Sequence, residues 1–271
     1  MRRTTARLTT LLAACSLLLA ACGDDDGDDT TTDEDGGDAA AEVDLVSDGT
    51  LTVCSDTPYE PFEYQEGGEH VGYDMDILRA IAEGNDLGFQ VRDLPFDGIL
   101  GSVAAGECDV VGSAVTITEE RAEQVDFSES YFDADQSLLV KAENEDTYAT
   151  LEDLAGATIG VQSGTTGEAY ANENTPEGAT VRSFEDSDGL FGAIEADQID
   201  AILQDFPVNA YRATQDDTLV VTETFPTGEQ YGFAVAKGNE SVLQMINDGL
   251  AGLRDSGEFD DIFSRYFGDQ P

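Results

Sequence analysis

Two side chains in this sequence are placed to hold the opposite charges of a small ligand. Arg121 lies in Thr116-Ile117-Thr118-Glu119-Glu120-Arg121, where Thr118 reads as a helix N-cap followed by two acids. A cation that early in a helix is on the unfavourable end of the dipole, which makes sense if it faces an anion. A guanidinium clamps a carboxylate through two parallel hydrogen bonds. The local sequence fits a surface pair with Glu123 or Asp126 equally well, and such a pair is worth little. Asp205 ends an apolar run and precedes Phe206-Pro207. It can accept hydrogen bonds from an ammonium group there, or cap the helix that follows.

A second group of residues offers shape rather than charge. In Gly164-Thr165-Thr166-Gly167-Glu168, Thr165 and Glu168 make a capping box. The N–H groups of a helix start attract a carboxylate, although an ordinary capped turn has the same residues. Tyr59, Phe62 and Phe96 sit in turns after strands rather than inside apolar runs. Aromatics at such places stack on a ligand or fold into the protein, and burial is the expectation for Phe62. Catalytic chemistry finds no support. There is no nucleophile–base pair, no Cys-x-x-Cys, and the sole histidine, His70, sits in a polar, glycine-flanked stretch and reads as a surface residue. Neither a metal nor a cofactor is expected.

These residues must be positioned by alternating strands and helices. Strand-like runs are 51–55, 89–94, 109–114, 137–141, 158–162, 180–184, 201–205, 218–223 and 231–237. Between them, 74–83 carries Met75, Leu78, Ile81 and Ala82 at helical spacing, and 97–105 carries Ile99, Leu100 and Val103. Two last helices bury Val242, Met245, Ile246 and Leu253, then Phe259, Ile262, Phe263 and Tyr266. Such alternation predicts an α/β fold with mainly parallel strands. One pattern repeats. Asp97-Gly98-Ile99-Leu100-Gly101 leads to Asp109-Val110-Val111-Gly112-Ser113-Ala114. Asp188-Gly189-Leu190-Phe191-Gly192 leads, without a gap, to Asp200-Ala201-Ile202-Leu203-Gln204-Asp205. Two similar α/β lobes follow from that repeat. Ser113-Ala114 and Gln204-Asp205 then occupy matching carboxyl ends of strands, where open α/β sheets bind ligands.

The ends of the chain and its charge bound the compartment and the partners. Arg2, Arg3 and Arg7 precede an apolar stretch, 8–21, that is short for a bilayer span and ends in Leu19-Ala20-Ala21-Cys22. This reads as a secretory signal, removed before Cys22. Residues 22–48 contain almost no large apolar side chain and read as a disordered, acidic tether. No second apolar run of spanning length follows, so the remainder is expected to be soluble. The chain has 58 acids against 12 bases, and its only lysines are Lys141 and Lys237. Such a charge argues against nucleic acid and anionic membrane as partners. Outside the cytoplasm, Cys54 and Cys108 are able to pair. Cys108 begins its strand while Cys54 nearly ends its own, and bridged Cα atoms must lie within about 7 Å. The sequence therefore supports a bridge and two free thiols equally.

Several motifs together resemble a known family. Asp56-Thr57-Pro58-Tyr59-Glu60-Pro61-Phe62-Glu63-Tyr64, Gly72-Tyr73-Asp74-Met75-Asp76, Phe96-Asp97-Gly98, Thr116 to Arg121, Val125-Asp126-Phe127-Ser128 and Gly164-Thr165-Thr166-Gly167 stand in order. They are similar to the family 3 extracellular solute-binding proteins, the polar amino-acid receptors of ABC importers, from about Thr50 to Gly268. The resemblance implies an α/β, two-lobed type II periplasmic-binding-protein fold with two hinge strands. Lobe 1 would be 49–135 plus 232–271, and lobe 2 would be 136–231. The Leu-Ala-Ala-Cys sequence likewise resembles a bacterial lipobox, which implies that Cys22 carries a lipid.

Carried over by position, the resemblance implies roles for individual residues. Arg121 would bind the α-carboxylate of an amino acid, helped by Thr116 and the turn at Thr165 and Thr166. Asp205 would bind the α-ammonium, with backbone help near Ser113 and Ala114. Tyr59 and Phe96 would sandwich the ligand side chain, with Asp56 at its far end. Ala114 replaces a frequent small polar residue, Cys54 a frequent glycine, and Gly167 leaves free a position that often contacts the ligand. Arg121 is the only clear cation in this set, so polar neutral or basic amino acids are favoured over glutamate and aspartate. The expected partners are the amino acid and an ABC permease, with the membrane touched through the lipid alone and the protein a monomer. Two other readings compete: an enzyme on the same fold, of the prephenate- or arogenate-dehydratase or lytic-transglycosylase kind, and a sensory module.

Overall fold

The computed structural model describes residues 43–268. The signal peptide 1–21, Cys22 and most of the tether lie outside the described residues. The first lobe begins with β1 (Thr50–Ser55), whose apolar residues are buried on both faces, as expected of a strand covered on each side. A short hairpin follows, β2 (Tyr64–Glu66) and β3 (Glu69–Val71), turning at Gly67-Gly68 with both φ positive. Two adjacent glycines are a strong hairpin signal, and the pattern of longer runs passed over it. Helix α1 (Tyr73–Gly84) buries Met75, Ile77, Leu78, Ile81 and Ala82, which accounts for the spacing seen in the sequence. Gly72 before it has φ 127°, and a Cβ there would lie 2.1 Å from the Phe62 carbonyl oxygen, so only glycine fits.

The rest of the first lobe is β4 (Gly88–Asp93), α2 (Ile99–Ala104), β5 (Val110–Val111), α3 (Glu119–Ala122) and β6 (Val125–Phe127). The second lobe holds β7 (Phe132–Lys141), β8 (Thr158–Gln162), α4 (Thr166–Asn174), β9 (Thr180–Phe184), α5 (Ser187–Glu195), β10 (Ala201–Asp205), α6 (Phe206–Gln215) and β11 (Leu219–Tyr231). The chain then returns to the first lobe through β12 (Ala234–Ala236), α7 (Glu240–Ser256) and α8 (Glu258–Phe267). The sheets run β4-β1-β5-β12-β6 and β11-β7-β10-β8-β9.

The strands are not mainly parallel. In the first sheet β1 pairs parallel with β4 and β5, but β12 pairs antiparallel with β5 and β6. In the second, β8 is parallel to β9 and β10, whereas β7 is antiparallel to β10 and β11. In these two sheets the antiparallel pairs all involve the strands on either side of the crossing between lobes. A strand that enters a sheet from the neighbouring lobe, without a helix crossover, runs against the strands it meets. The same crossing explains strand lengths. Residues 137–141 are the end of a ten-residue strand, and all of 218–223 but its first residue is the start of a thirteen-residue one. The run 231–237 is split between the end of β11 and β12, and 109–114 keeps only two strand residues. At the crossing, Phe132 and Tyr231 stack with ring centroids 5.6 Å apart, and Phe62, fully buried, packs on both at 5.0 and 5.3 Å. Phe62 is therefore a core residue, as expected.

Candidate functional site

Cys54 and Cys108 form a disulfide with Cα atoms 5.8 Å apart. The strand-end argument against the bridge fails because β5 proper starts only at Val110, so Cys108 lies in the incoming chain and is free to turn toward β1. The bridge ties the strand leading to Asp56 to the segment leading to Ser113.

Asp56 lies just past β1 and Ser113-Ala114 just past β5, at the carboxyl ends of both strands. The Asp56 backbone N–H donates to Ser113 Oγ at 3.0 Å, and Ser113 Oγ donates to Glu63 Oε1 at 2.9 Å. Ala114 adopts φ 47°, a left-handed conformation that costs an alanine about 1–2 kcal/mol. Its N–H is held by Asp74 Oδ2 at 2.9 Å, and Tyr131 donates to the same oxygen at 2.7 Å. Glu63 and Asp74 are fully buried. Burial pushes the Glu63 carboxyl well above the carboxylate range and Asp74 to about 7. Neither acid was singled out in the sequence. The one signal was Asp74 itself, an acid in the middle of an apolar helix start.

Arg121 sits on α3, a single turn capped by Thr118, whose Oγ1 accepts from the Arg121 N–H at 3.1 Å. One turn is too short for a dipole argument about which end it occupies. The guanidinium donates to the Thr116 carbonyl at 2.8 Å and to the Gly164 carbonyl of the other lobe at 3.0 Å. Its Cζ lies 5.4 Å from the Phe96 ring centre. Burial lowers its pKa, opposed by Asp205 and Glu229, yet an arginine remains charged. Among the described residues it forms no ion pair with Glu123 or Asp126, and Asp126 pairs with Lys237 instead. Asp205 is at the start of α6 but makes no side-chain cap bond. It accepts from Gln136 Nε2 at 2.5 Å and from the Tyr231 hydroxyl. Burial first, and Glu229 second, raise its pKa from 3.8 to about 6.

On the second lobe, Thr165 caps α4 and accepts from the Glu168 N–H at 3.1 Å. Glu168 reaches back to the Gly164 N–H, at 2.8 Å, one residue before the cap. Gly167 does not open onto the site. A side chain there would meet Gln136 Oε1 at 3.0 Å and the Leu203 carbonyl at 3.2 Å. Asp56, Tyr59, Phe96, Ser113, Ala114, Thr116, Arg121, Thr165, Thr166 and Asp205 all line one small, nearly filled cavity between the lobes, with about 10 Å³ of free space. Gln162 completes the lining and was missed. It crosses the cleft to donate to Asp56 Oδ2 at 2.5 Å. Burial, with Asp93 and Asp186 nearby, raises Asp56 from 3.8 to about 6. Gln162 ends a strand whose pattern was read for its apolar residues alone.

Two lobes closing a small polar cavity, with a half-buried cation from one and a buried acid from the other, define a receptor-like ligand-binding protein of the periplasmic type. The chain belongs to the bacterial extracellular solute-binding proteins, family 3, whose model matches residues 51–269. It is 32% identical over 223 residues to the L-cystine-binding protein TcyJ of Escherichia coli (strain K12), covering 81% of this chain and 83% of that one. An ancestral arginine-binding protein bound to glutamine superposes with a TM-score of 0.77 at 36% identity, over 82% of this chain and 99% of the other. The ancestral amino acid-binding protein AncCDT-1, a precursor of cyclohexadienyl dehydratase, gives 0.76 at 36% identity, over 81% and 96%.

Proposed function

We propose that this chain captures a free amino acid outside the cytoplasm and delivers it to an ABC permease, without chemical change. The observation that carries the reading is Arg121 and Asp205 on one cavity from opposite lobes. An α-carboxylate fits a guanidinium and an α-ammonium fits a carboxylate, so a zwitterion joins the two lobes. The far end, where Asp56 faces Gln162 with Asp93 and Asp186 near, favours a basic side chain and then a polar neutral one. Glutamate or aspartate would add a carboxylate to a site whose cation is already engaged. The kinship with a dehydratase precursor does not turn this site into an enzyme. Among the described residues no histidine or cysteine lines the cavity, and the carboxyl that faces Ser113, Glu63, is held protonated by burial.

A thermal-shift screen against the twenty amino acids tests the reading. L-arginine, L-lysine, L-histidine or L-glutamine should raise the midpoint most, and a protein indifferent to all twenty refutes it. Cys22, by its lipobox-like setting, would anchor the protein to the outer face of the membrane as a monomer. Cys22→Ala should then release it into the medium, and a variant that stays with detergent-free membranes removes the anchor.

A further inference from the structure

Strands β7 and β11 carry different side chains to their two faces. One face belongs to the cleft, where Gln136 Nε2 donates to Glu229 Oε1 at 3.2 Å, and Glu229 accepts from Thr116 and Thr166 at 2.9 and 2.6 Å. Successive side chains of a strand point to opposite faces, so Asp133, Asp135 and Gln230 turn the other way. There Asp133 accepts from Gln230 Nε2 at 2.7 Å, and Asp135 accepts from the Gly228 N–H at 3.1 Å. Behind that face, α6 of the second lobe and α8 of the first enclose a groove with about 750 Å³ of free space. Small-molecule sites span about 300–1,000 Å³.

The walls of the groove are aromatic: Phe206, Tyr211, Phe263, Tyr266 and Phe267. Phe206 is 41% exposed, the one exposed aromatic among the described residues. Asp205 lines the cleft and Phe206, the next residue, lines the groove. Nothing in that turn of the chain requires a large apolar side chain at 206, and a polar one would cost less in water. The Tyr266 hydroxyl is engaged elsewhere, donating to Asp76 at 2.8 Å and accepting from the Gly72 N–H at 3.1 Å, which leaves its ring to the groove. Among the described residues no lysine, arginine or histidine lines the groove, whereas Asp133 and Asp135 do. Aromatic faces and carboxylates both attract a cation. A formal charge of −46 repels anions and a second copy of the chain alike. We propose that this groove is a second binding site, separate from the cleft, for an organic cation with an apolar body, an aryl or alkyl ammonium. Its ammonium group takes Asp133 and Asp135 as counter-charges, and its apolar body covers Phe206.

The probe is benzyltrimethylammonium, titrated calorimetrically into the folded chain at fixed ionic strength. An uncharged near-isostere, 2-methyl-1-phenyl-2-propanol, and tetramethylammonium, the charge without the ring, are the comparators. The probe should bind one-to-one with a Kd of about 1 mM or less, the scale for a ligand of its size. It should bind about tenfold tighter than either comparator, since only the probe offers both the charge and the ring. Phe206→Ala should weaken it about fivefold or more through lost apolar contact. Asp133→Asn with Asp135→Asn keeps an acceptor for Gln230 and for Gly228, and should erase most of the advantage over the alcohol. Ala210→Trp, which fills the groove from α6, should abolish binding, and thermal midpoints show which variants are folded. Should Ala210→Trp fail to fold, Phe206→Ala carries the test. Attraction to the acidic surface at large would hold tetramethylammonium as well as the probe. Binding in the cleft would ignore Phe206→Ala. Either result overturns the proposal, and so does a chain that ignores the probe, whether or not it dimerises through this face.

Discussion

Arg121 and Asp205 come from opposite lobes, and in the proposed complex each takes one charged group of the ligand as its direct partner. Removing one leaves the ligand charge that it held buried and unpaired, which costs about 3–5 kcal/mol. Arg121→Ala and Asp205→Ala should each weaken capture of the cognate amino acid by about a hundredfold or more. Arg121→Lys should also be poor, since one ammonium cannot reproduce a two-pronged clamp. Titration with the folded variants checks this, and an alanine variant within a few-fold of wild type would place the site elsewhere. Asp205 and Asp56 add a pH dependence, both being raised from 3.8 to about 6 by burial. Their contribution to stability is fully present below about 4 and is lost as pH rises through about 6. Ligand capture has the opposite slope, because an ammonium needs the ionised acid. Between pH 7 and pH 5 the affinity should drop about tenfold per participating carboxyl while the protein alone gains stability. Affinity flat over that window would remove both acids from the site. Every residue that contacts the cavity through a motif was legible in the sequence. Gln136, Gln162, Glu229 and Glu63 were not, because their roles arise from side-chain contacts between residues 23 to 106 positions apart, which no local pattern encodes.

At the scale of elements, the internal repeat was a sound guide because each half carries the same helix-to-strand chemistry. It places Ser113-Ala114 and Gln204-Asp205 at equivalent strand ends, and both pairs are buried at the cleft. What the repeat could not show was the crossing chain. β7 and β11 serve both lobes, and their outer halves alternate buried and exposed residues as edges rather than as core runs. Apolar periodicity therefore detected only the halves inside the second sheet. The disulfide is the other element-scale feature that the sequence left open. It closes a loop of 54 residues beneath the cleft. Cross-linking a loop of that length should stabilise the fold by about 3–4 kcal/mol. Replacing both cysteines by serine should lower the denaturation midpoint accordingly, without changing ligand preference. Mass spectrometry of the unreduced, alkylated protein should find neither Cys54 nor Cys108 modified, and two alkylated thiols would remove the bridge.

The whole molecule carries a formal charge of −46. Few of its acids are paired. Among the described residues the ion pairs are Lys141–Asp197, Arg212–Glu195, Lys237–Asp126, Arg254–Glu129 and Arg265–Asp76. Most lie where solvent screens them, and such pairs contribute about 0–1 kcal/mol each. The remaining carboxylates repel one another more in the compact state than in the expanded chain. Added salt should therefore stabilise the fold. The Debye length shrinks from about 30 Å at 0.01 M to about 8 Å at 0.15 M and about 3 Å at 1 M. Screening should thus raise the thermal midpoint steeply, by about 5 °C or more, over the first few tenths molar of sodium chloride, and then level off. Salting-out of apolar surface has a different shape, a steady gain that continues at molar concentration. A midpoint that is flat below about 0.3 M and rises only above it would mean that self-repulsion is not what limits this fold. The acidic surface would then leave stability untouched, and its consequence would be confined to solubility and to the rate at which cationic ligands reach the cleft.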